Sequence, residues 1–246
     1  MRNIKLSLQY DGTRYDGWQK QGNTEKTIQG KIEAVLSQIL NERIEINGSG
    51  RTDSGVHAYN QIANFHTRND NIDLQELIIK ANFNLPNDIV IMSAQIVDES
   101  FHSRYNAKGK KYIYRIWNSN FRNPFLERYC FYLNDKLDIN AMKAAAEYLI
   151  GEHDFSSFTS LKSKKKSKIR TIYAIDFNVN NELIEILFYG NGFLYNMVRI
   201  IIGTLLDVGI GKITSKDVKE ILNKKGRNLA GCTAPAKGLF LYEVEY

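Results

Sequence analysis

Ile4, Leu6 and Leu8 alternate with Lys5, Ser7 and Gln9, the period-two pattern of a strand with one buried face. A polar stretch rich in Gly, Asp and Gln follows. From Thr27 the apolar positions Ile28, Ile32, Leu36, Ile39 and Leu40 recur at helical spacing, and Thr27 is placed to cap that helix. A short strand is expected over residues 43–47, then a glycine-rich bend, then a second strand over 60–66. Leu74, Leu77, Ile78 and Ala81 mark another helix, ended by an NLPND turn, and IVIMSAQIV reads as a buried strand. The order β-α-β-β-α-β is that of the split-βαβ, ferredoxin-like arrangement.

The second half repeats that order without repeating residues. KKYIYRIWN is a strand, and Asp138 caps a helix through MKAAAEYLIG. TIYAIDFNVNNELIEILFY forms a hairpin turning near Asn180 and Asn181. FLYNMVRIIIGTLLDVG is a helix, and Thr214 with Asp217 three residues later opens a shorter one as a capping box. A strand over 239–246 closes the chain. The expected fold is α+β: two ferredoxin-like halves, residues 1–104 and 105–246, whose antiparallel sheets meet at a central cleft.

One stretch does not fit a purely structural account. GSGRTDSGVHAYNQIANF holds a single carboxylate, Asp53, in a bend with glycines at 48, 50 and 55, and Arg51 stands two positions before it. Residues two apart in extended backbone face one side, so Arg51 and Asp53 can share a site while Thr52 faces away. The glycines admit sharp turns and a bulky ligand. A neighbouring guanidinium keeps a carboxylate ionised, which suits a nucleophile or charge stabiliser better than a general acid. The structural alternative is an ion pair bracing a loop. Asp53-Ser54-Gly55 also spells an aspartic-protease tripeptide, but that chemistry needs two carboxylates sharing a proton and no second copy of the tripeptide occurs. The dinucleotide and P-loop glycine patterns are missing.

Composition narrows the classes further. At 246 residues the chain can bury a full core, and 43% hydrophobic with 24% charged residues is ordinary for a globular protein. The start runs straight into the first strand pattern, with no signal-peptide core. The longest apolar run, LYNMVRIIIGTLLDVGIG, is broken by Arg199 and Asp207, so no membrane span and a cytoplasmic location are expected. Cys130 and Cys232 read as two buried thiols. His57, His66, His102 and His153 lack zinc-ligand spacing, so no metal is expected. The net charge is +6, and KSKKKSKIR alone holds six basic residues and no acid. Such a cluster suits phosphate contacts, or else it is a solvated loop.

The segments YDGTRYDGWQKQ, GSGRTDSGVHAYNQIANF, FHSRYNAKGKKYIYRI, GEHDFSSF, GNGFLYNMVRIIIGTLLDVGIGK and APAKGLFLYEVEY, in order over nearly the whole chain, resemble the tRNA pseudouridine synthase A family. GRTDSGVHA is the most specific of them. Ser54 stands where that family often has alanine. The resemblance implies an isomerase that converts uridine to pseudouridine at positions 38–40 of the tRNA anticodon arm, without cofactor or metal. It also implies a homodimer whose two subunits contact one tRNA at the anticodon arm and elbow.

By the same resemblance Asp53 is the catalytic aspartate, either a nucleophile that attacks the sugar's C1′ or adds to the uracil ring, or a base that removes a sugar proton, and Arg51 helps displace the flipped base. A paired base must leave the stack before a side chain reaches it. Tyr112 matches the active-site tyrosine, able to stack on uracil and relay a proton; the alternative is a core aromatic sharing a strand face with Tyr114 and Ile116. Arg199 lies in an apolar helix, where an unpaired guanidinium is costly. Asp53 is its implied partner, and Asp207 the structural alternative. Leu239 packs on the flipped base or is plain core. Phe101, His102, Ser103, Arg104 and Tyr105, with Lys164, Lys165 and Lys166, are expected along the tRNA backbone. A non-catalytic RNA-binding module is the competing reading, although such a module needs no aspartate in a glycine bend.

Overall fold

In the computed structural model, which describes residues 1–160 and 167–246, the alternating start forms strand β1 (Arg2–Tyr10) with Ile4, Leu6 and Leu8 fully buried. Helix α1 (Ile28–Leu40) begins where Thr27 accepts a hydrogen bond from the Gly30 N–H. Strands β2 (Asn47–Gly48) and β3 (His57–Thr67) flank the glycine bend. Helix α2 (Leu74–Asn84) starts at Asp73, whose carboxylate caps the N–H groups of Gln75 and Glu76, and β4 (Ile89–Val97) follows. β3 and β4 both lie antiparallel to β1, and β2 lies antiparallel to β3. The order β4-β1-β3-β2 is the split-βαβ order expected from the periodicity.

Two expectations for this half change. Residues 43–46 form no ladder: the Ile44 N–H donates to Ser37 Oγ at 2.9 Å and the Ile46 N–H to Glu33 Oε1 at 3.0 Å. Side chains of α1 have taken the place of a partner strand, so β2 shrinks to two residues. β4 is not buried throughout. It ends the sheet, with Ile89 and Ile91 inside and Val90, Met92 and Ile96 exposed.

The second half starts with β5 (Gly109–Asn118) and a short β6 (Phe131–Leu133) parallel to it. Helix α3 (Ile139–Glu147) is capped by Asp138 and leads to β7 (Gly151–Asp154). β8 (Ile169–Asn180) and β9 (Leu183–Gly190) form the expected hairpin, with Asn181 left-handed in its turn. β5 and β8 both pair antiparallel with β9, and β7 pairs with β8. β6 and β7 were not foreseen; each is too short to show a period. Helix α4 (Met197–Gly209) begins four residues later than its apolar pattern, because Asn196 is left-handed at φ 60°. Helix α5 (Ser215–Lys224) carries the Thr214–Asp217 capping box, and β10 (Leu239–Glu245) closes the chain.

Contacts divide the chain into two units, Met1–Lys108 with Phe240–Tyr246, and Gly109–Leu239. In the first, β10 adds to β3 in parallel, Phe240 facing His57 and Leu241 facing Ala58. The molecule is thus mixed α+β with mostly antiparallel pairing. Among the described residues no helix is long and apolar enough to cross a membrane. Cys130 is buried, which pushes its thiol up to about 11, but Cys232 is exposed, contrary to expectation.

Candidate active site

The bend between β2 and β3 is gripped from outside by the segment after β1. The Trp18 N–H donates to the Thr52 carbonyl at 3.0 Å, and the Tyr15 carbonyl receives both the Gly55 N–H and the Ser54 hydroxyl. Backbone approaches backbone so closely that side chains are excluded. A Cβ on Gly12 would stand 2.0 Å from the Val56 carbonyl oxygen, and one on Gly17 would stand 2.7 Å from the Thr52 carbonyl oxygen. Gly17 also has φ +95°, a conformation open to glycine. Tyr15 is tied down by its hydroxyl, which bonds the Asp88 carboxylate.

Within this grip Thr52 turns inward and is buried, Arg51 is exposed, and Asp53 is half-buried. The Asp53 carbonyl accepts the Val56 N–H at 3.1 Å, closing a tight turn at Asp53. Arg51 Nε donates to Gln19 Oε1 at 3.0 Å. Gln19, within YDGTRYDGWQKQ, carries no local pattern that would have marked it. His57, one residue past the bend, is buried beside Asp11, its Nδ1 3.1 Å from the carboxylate and 3.1 Å from the Gly12 N–H.

The segment expected along the tRNA is held at its centre and open at its end. Ser103 is fully buried: its N–H donates to Asn64 Oδ1 at 2.9 Å, its hydroxyl to the Asn47 carbonyl, and its carbonyl accepts the Tyr246 hydroxyl. Asn64 in turn donates to Asn3, whose amide holds the Phe101 carbonyl at 2.8 Å. Ser103 therefore anchors the segment from within. Phe101 packs near Tyr246, and His102 lies 4.2 Å from Tyr105 ring to ring. Arg104 and Tyr105 are exposed. Lys164, Lys165 and Lys166 lie outside the described residues.

In the second unit Tyr112 stands on β5 in one face with Tyr114 and Ile116. Tyr114 and Ile116 are wholly buried, whereas Tyr112 keeps 8% exposure and meets Phe193 edge-on at 5.2 Å. Tyr114 donates to the Pro235 carbonyl at 2.9 Å; burial raises its phenol above the ordinary value, and the positive Arg199 acts in the opposite sense. Arg199 on α4 is half-buried. Its Nε donates to the Ala234 carbonyl at 2.7 Å and its Nη1 to Asn196 Oδ1 at 3.1 Å. Asp207 is paired with Lys212 at 3.1 Å, at the far end of α4. Leu239 is buried at the start of β10. Among the described residues no three His, Cys, Asp or Glu side chains gather as a metal site would require.

Comparison with known proteins adds the chemistry. A family described as tRNA pseudouridine synthase matches residues 7–106 and 145–246. The chain is 51% identical over 246 residues to tRNA pseudouridine synthase A 1 of Clostridium tetani, covering all of both chains. It is 48% identical over 248 residues to tRNA pseudouridine synthase A 2 of Bacillus cereus, again covering all of both. Identity to tRNA pseudouridine synthase A of Acetivibrio thermocellus is 47% over 246 residues, both chains covered in full. The matched family residues include the Asp53 bend and Arg199; Tyr112 falls in the gap between them.

Proposed function

The chain belongs to the tRNA pseudouridine synthase family, which isomerises uridine to pseudouridine in tRNA, and we propose that Asp53 is the acid on which this reaction depends. The isomerisation breaks the N1–C1′ bond, turns the freed ring and joins C5 to C1′. C5 loses a proton and N1 gains one, so the atoms balance without a co-reactant. Attack on C1′, addition to the ring and removal of a sugar proton each use an ionised carboxylate. The observation that carries the reading is the setting of Asp53, a half-buried carboxylate in a bend whose backbone is clamped by Trp18, Tyr15 and two close-packed glycines.

The remaining roles follow from what each side chain can do. Arg51, exposed at the tip of the bend, displaces the target base and contacts the backbone it leaves. Tyr112 offers a ring for stacking on uracil and a hydroxyl for proton relay. Arg199 supplies a guanidinium whose direction is fixed by Asn196 and the Ala234 carbonyl, and Leu239 packs on the extruded ring. Phe101, His102, Arg104 and Tyr105, with Lys164, Lys165 and Lys166, follow the backbone of an A-form stem, which is read by shape and phosphate contacts. The substrate sites are uridines 38–40 of the anticodon arm; the enzyme works as a homodimer in the cytoplasm, with tRNA also contacted at its elbow.

The test is incubation with unmodified tRNA and chemical mapping of pseudouridine. Asp53→Asn is expected to keep tRNA binding and lose the product. Turnover near wild type in that variant would remove Asp53 from its role.

A further inference from the structure

A chain of buried polar side chains runs beneath the bend, and no step of the reaction uses it. Ser49 Oγ donates to Gln61 Oε1 at 2.6 Å, and Gln61 Nε2 donates to the Gly50 carbonyl at 3.0 Å. The Gln61 side chain also bonds the Tyr10 hydroxyl, which lies 2.8 Å from Thr52 Oγ1. The phenol is therefore bonded on two sides, by the Gln61 amide and by the Thr52 hydroxyl. Ser49 and Gln61 are 0% exposed, Tyr10 5% and Thr52 6%. Burial pushes the Tyr10 phenol above its ordinary value, while its bonds to Thr52 and Gln61 act in the opposite sense. At neutral pH it is therefore protonated, and it shares one hydrogen bond with the Thr52 hydroxyl.

We propose that Tyr10, acting through Thr52, is a positioning residue that fixes the Asp53 carboxylate; this rests on the reading of Asp53 as the catalytic acid. Tyr10 is a rigid anchor because its backbone pairs with Ala58 of β3 on one side and Ile89 of β4 on the other. Thr52 is the residue next to Asp53, so a hydroxyl held from the sheet sets the angle of the adjacent carboxylate. Apolar packing at Thr52 would be non-directional and would tolerate sliding. A buried hydroxyl pair does not, since displacement leaves both groups unsatisfied. Ser49 and Gly50 are tied to the same network, so both limbs of the bend that carries Arg51 and Asp53 refer to one fixed phenol.

The experiment measures kcat and tRNA affinity for Tyr10→Phe, Thr52→Val, Thr52→Ser and the Tyr10→Phe/Thr52→Val pair, with thermal melting to check folding. Misplacing a reacting group by about 1 Å costs on the order of 100-fold. Tyr10→Phe and Thr52→Val are therefore each expected to lower kcat by roughly 10- to 100-fold, with tRNA affinity within about twofold. Thr52→Ser retains the hydroxyl and is expected to restore kcat to within about threefold of wild type. The double variant is expected to be no slower than the slower single one, as for groups acting as a unit. Wild-type kcat in Tyr10→Phe and Thr52→Val, or multiplying losses in the double variant, overturns the proposal. Should Tyr10→Phe fail to fold, the contrast of Thr52→Val with Thr52→Ser decides alone, equal kcat in the two being fatal. Asp53→Asn measured alongside separates the two failures. Activity there sinks the catalytic reading itself, whereas its inactivity beside an unaffected Tyr10→Phe sinks only the positioning role.

Discussion

At Gly12 a methyl group would point at the Val56 carbonyl oxygen from 2.0 Å, and both partners are backbone. Neither can rotate away, so Gly12→Ala must push the bend off the segment that clamps it. Overpacking of this kind costs about 1–3 kcal/mol, and here the strain falls within three residues of Asp53. Gly12→Ala is expected to lower both the unfolding free energy in urea and the turnover of tRNA, the second by the larger factor. Unchanged turnover in a folded Gly12→Ala protein would mean that the bend tolerates displacement. The sequence pointed to Asp53 because a lone carboxylate among glycines is unusual. It gave no sign that the glycines of YDGTRYDGW press on the same bend, since that contact arises only when the two segments fold together. Tyr10 was equally hidden, because its even-numbered place after Ile4, Leu6 and Leu8 reads as one more buried position of a strand.

At the level of elements, the start of α4 is where pattern and structure part. Its apolar run extends back through Phe193 and Leu194, yet the helix waits for Met197 because Asn196 is left-handed. An asparagine in the N-cap position ordinarily caps backbone N–H groups. Asn196 makes no such cap, and its Oδ1 accepts a hydrogen bond from Arg199 Nη1 instead. Asn196→Gly keeps the left-handed backbone and removes that acceptor. Its expected stability loss in urea is only a few tenths of a kcal/mol, with turnover reduced several-fold; full turnover would show that the Asn196 contact does not matter to Arg199. Residues 43–46 failed for a related reason: alternating Ile44 and Ile46 are indeed buried, but their N–H groups found Ser37 and Glu33 on α1. Alternation reports which side chains are inside, not which group satisfies the backbone. At the end of β7, Asp154 bonds Ser156 and pairs with Lys225 at 2.9 Å. The Ser156 bonds foremost, then Lys225, hold its carboxyl below the ordinary 3.8. Its stabilising effect is thus full above pH 3.8 and is lost as pH falls through the lower folded-state value. Urea melts of wild type and Asp154→Asn should differ at neutral pH by no more than about 1 kcal/mol, as for an exposed pair, and converge in acid. A gap that widens in acid would reverse the sign.

Over the whole molecule, the formal +6 equals the six basic residues of KSKKKSKIR, so the excess charge is local. A polyanion such as tRNA binds largely by releasing counterions, and the logarithm of affinity falls linearly with the logarithm of salt concentration. The slope counts phosphates neutralised, at about 0.7 to 0.9 per contact. If Lys164, Lys165 and Lys166 each meet a phosphate, replacing all three with alanine should make the slope shallower by about 2 to 3 and weaken binding most at low salt. The acid-bearing bend is untouched by this change, so saturated turnover should stay near wild type while KM rises. Filter binding over a series of salt concentrations separates this from general destabilisation, which would lower affinity without altering the slope. An unchanged slope would mean that the lysines are a solvated run whose charge never reaches the RNA, leaving exposed Arg104 and Arg51 to carry the phosphate contacts.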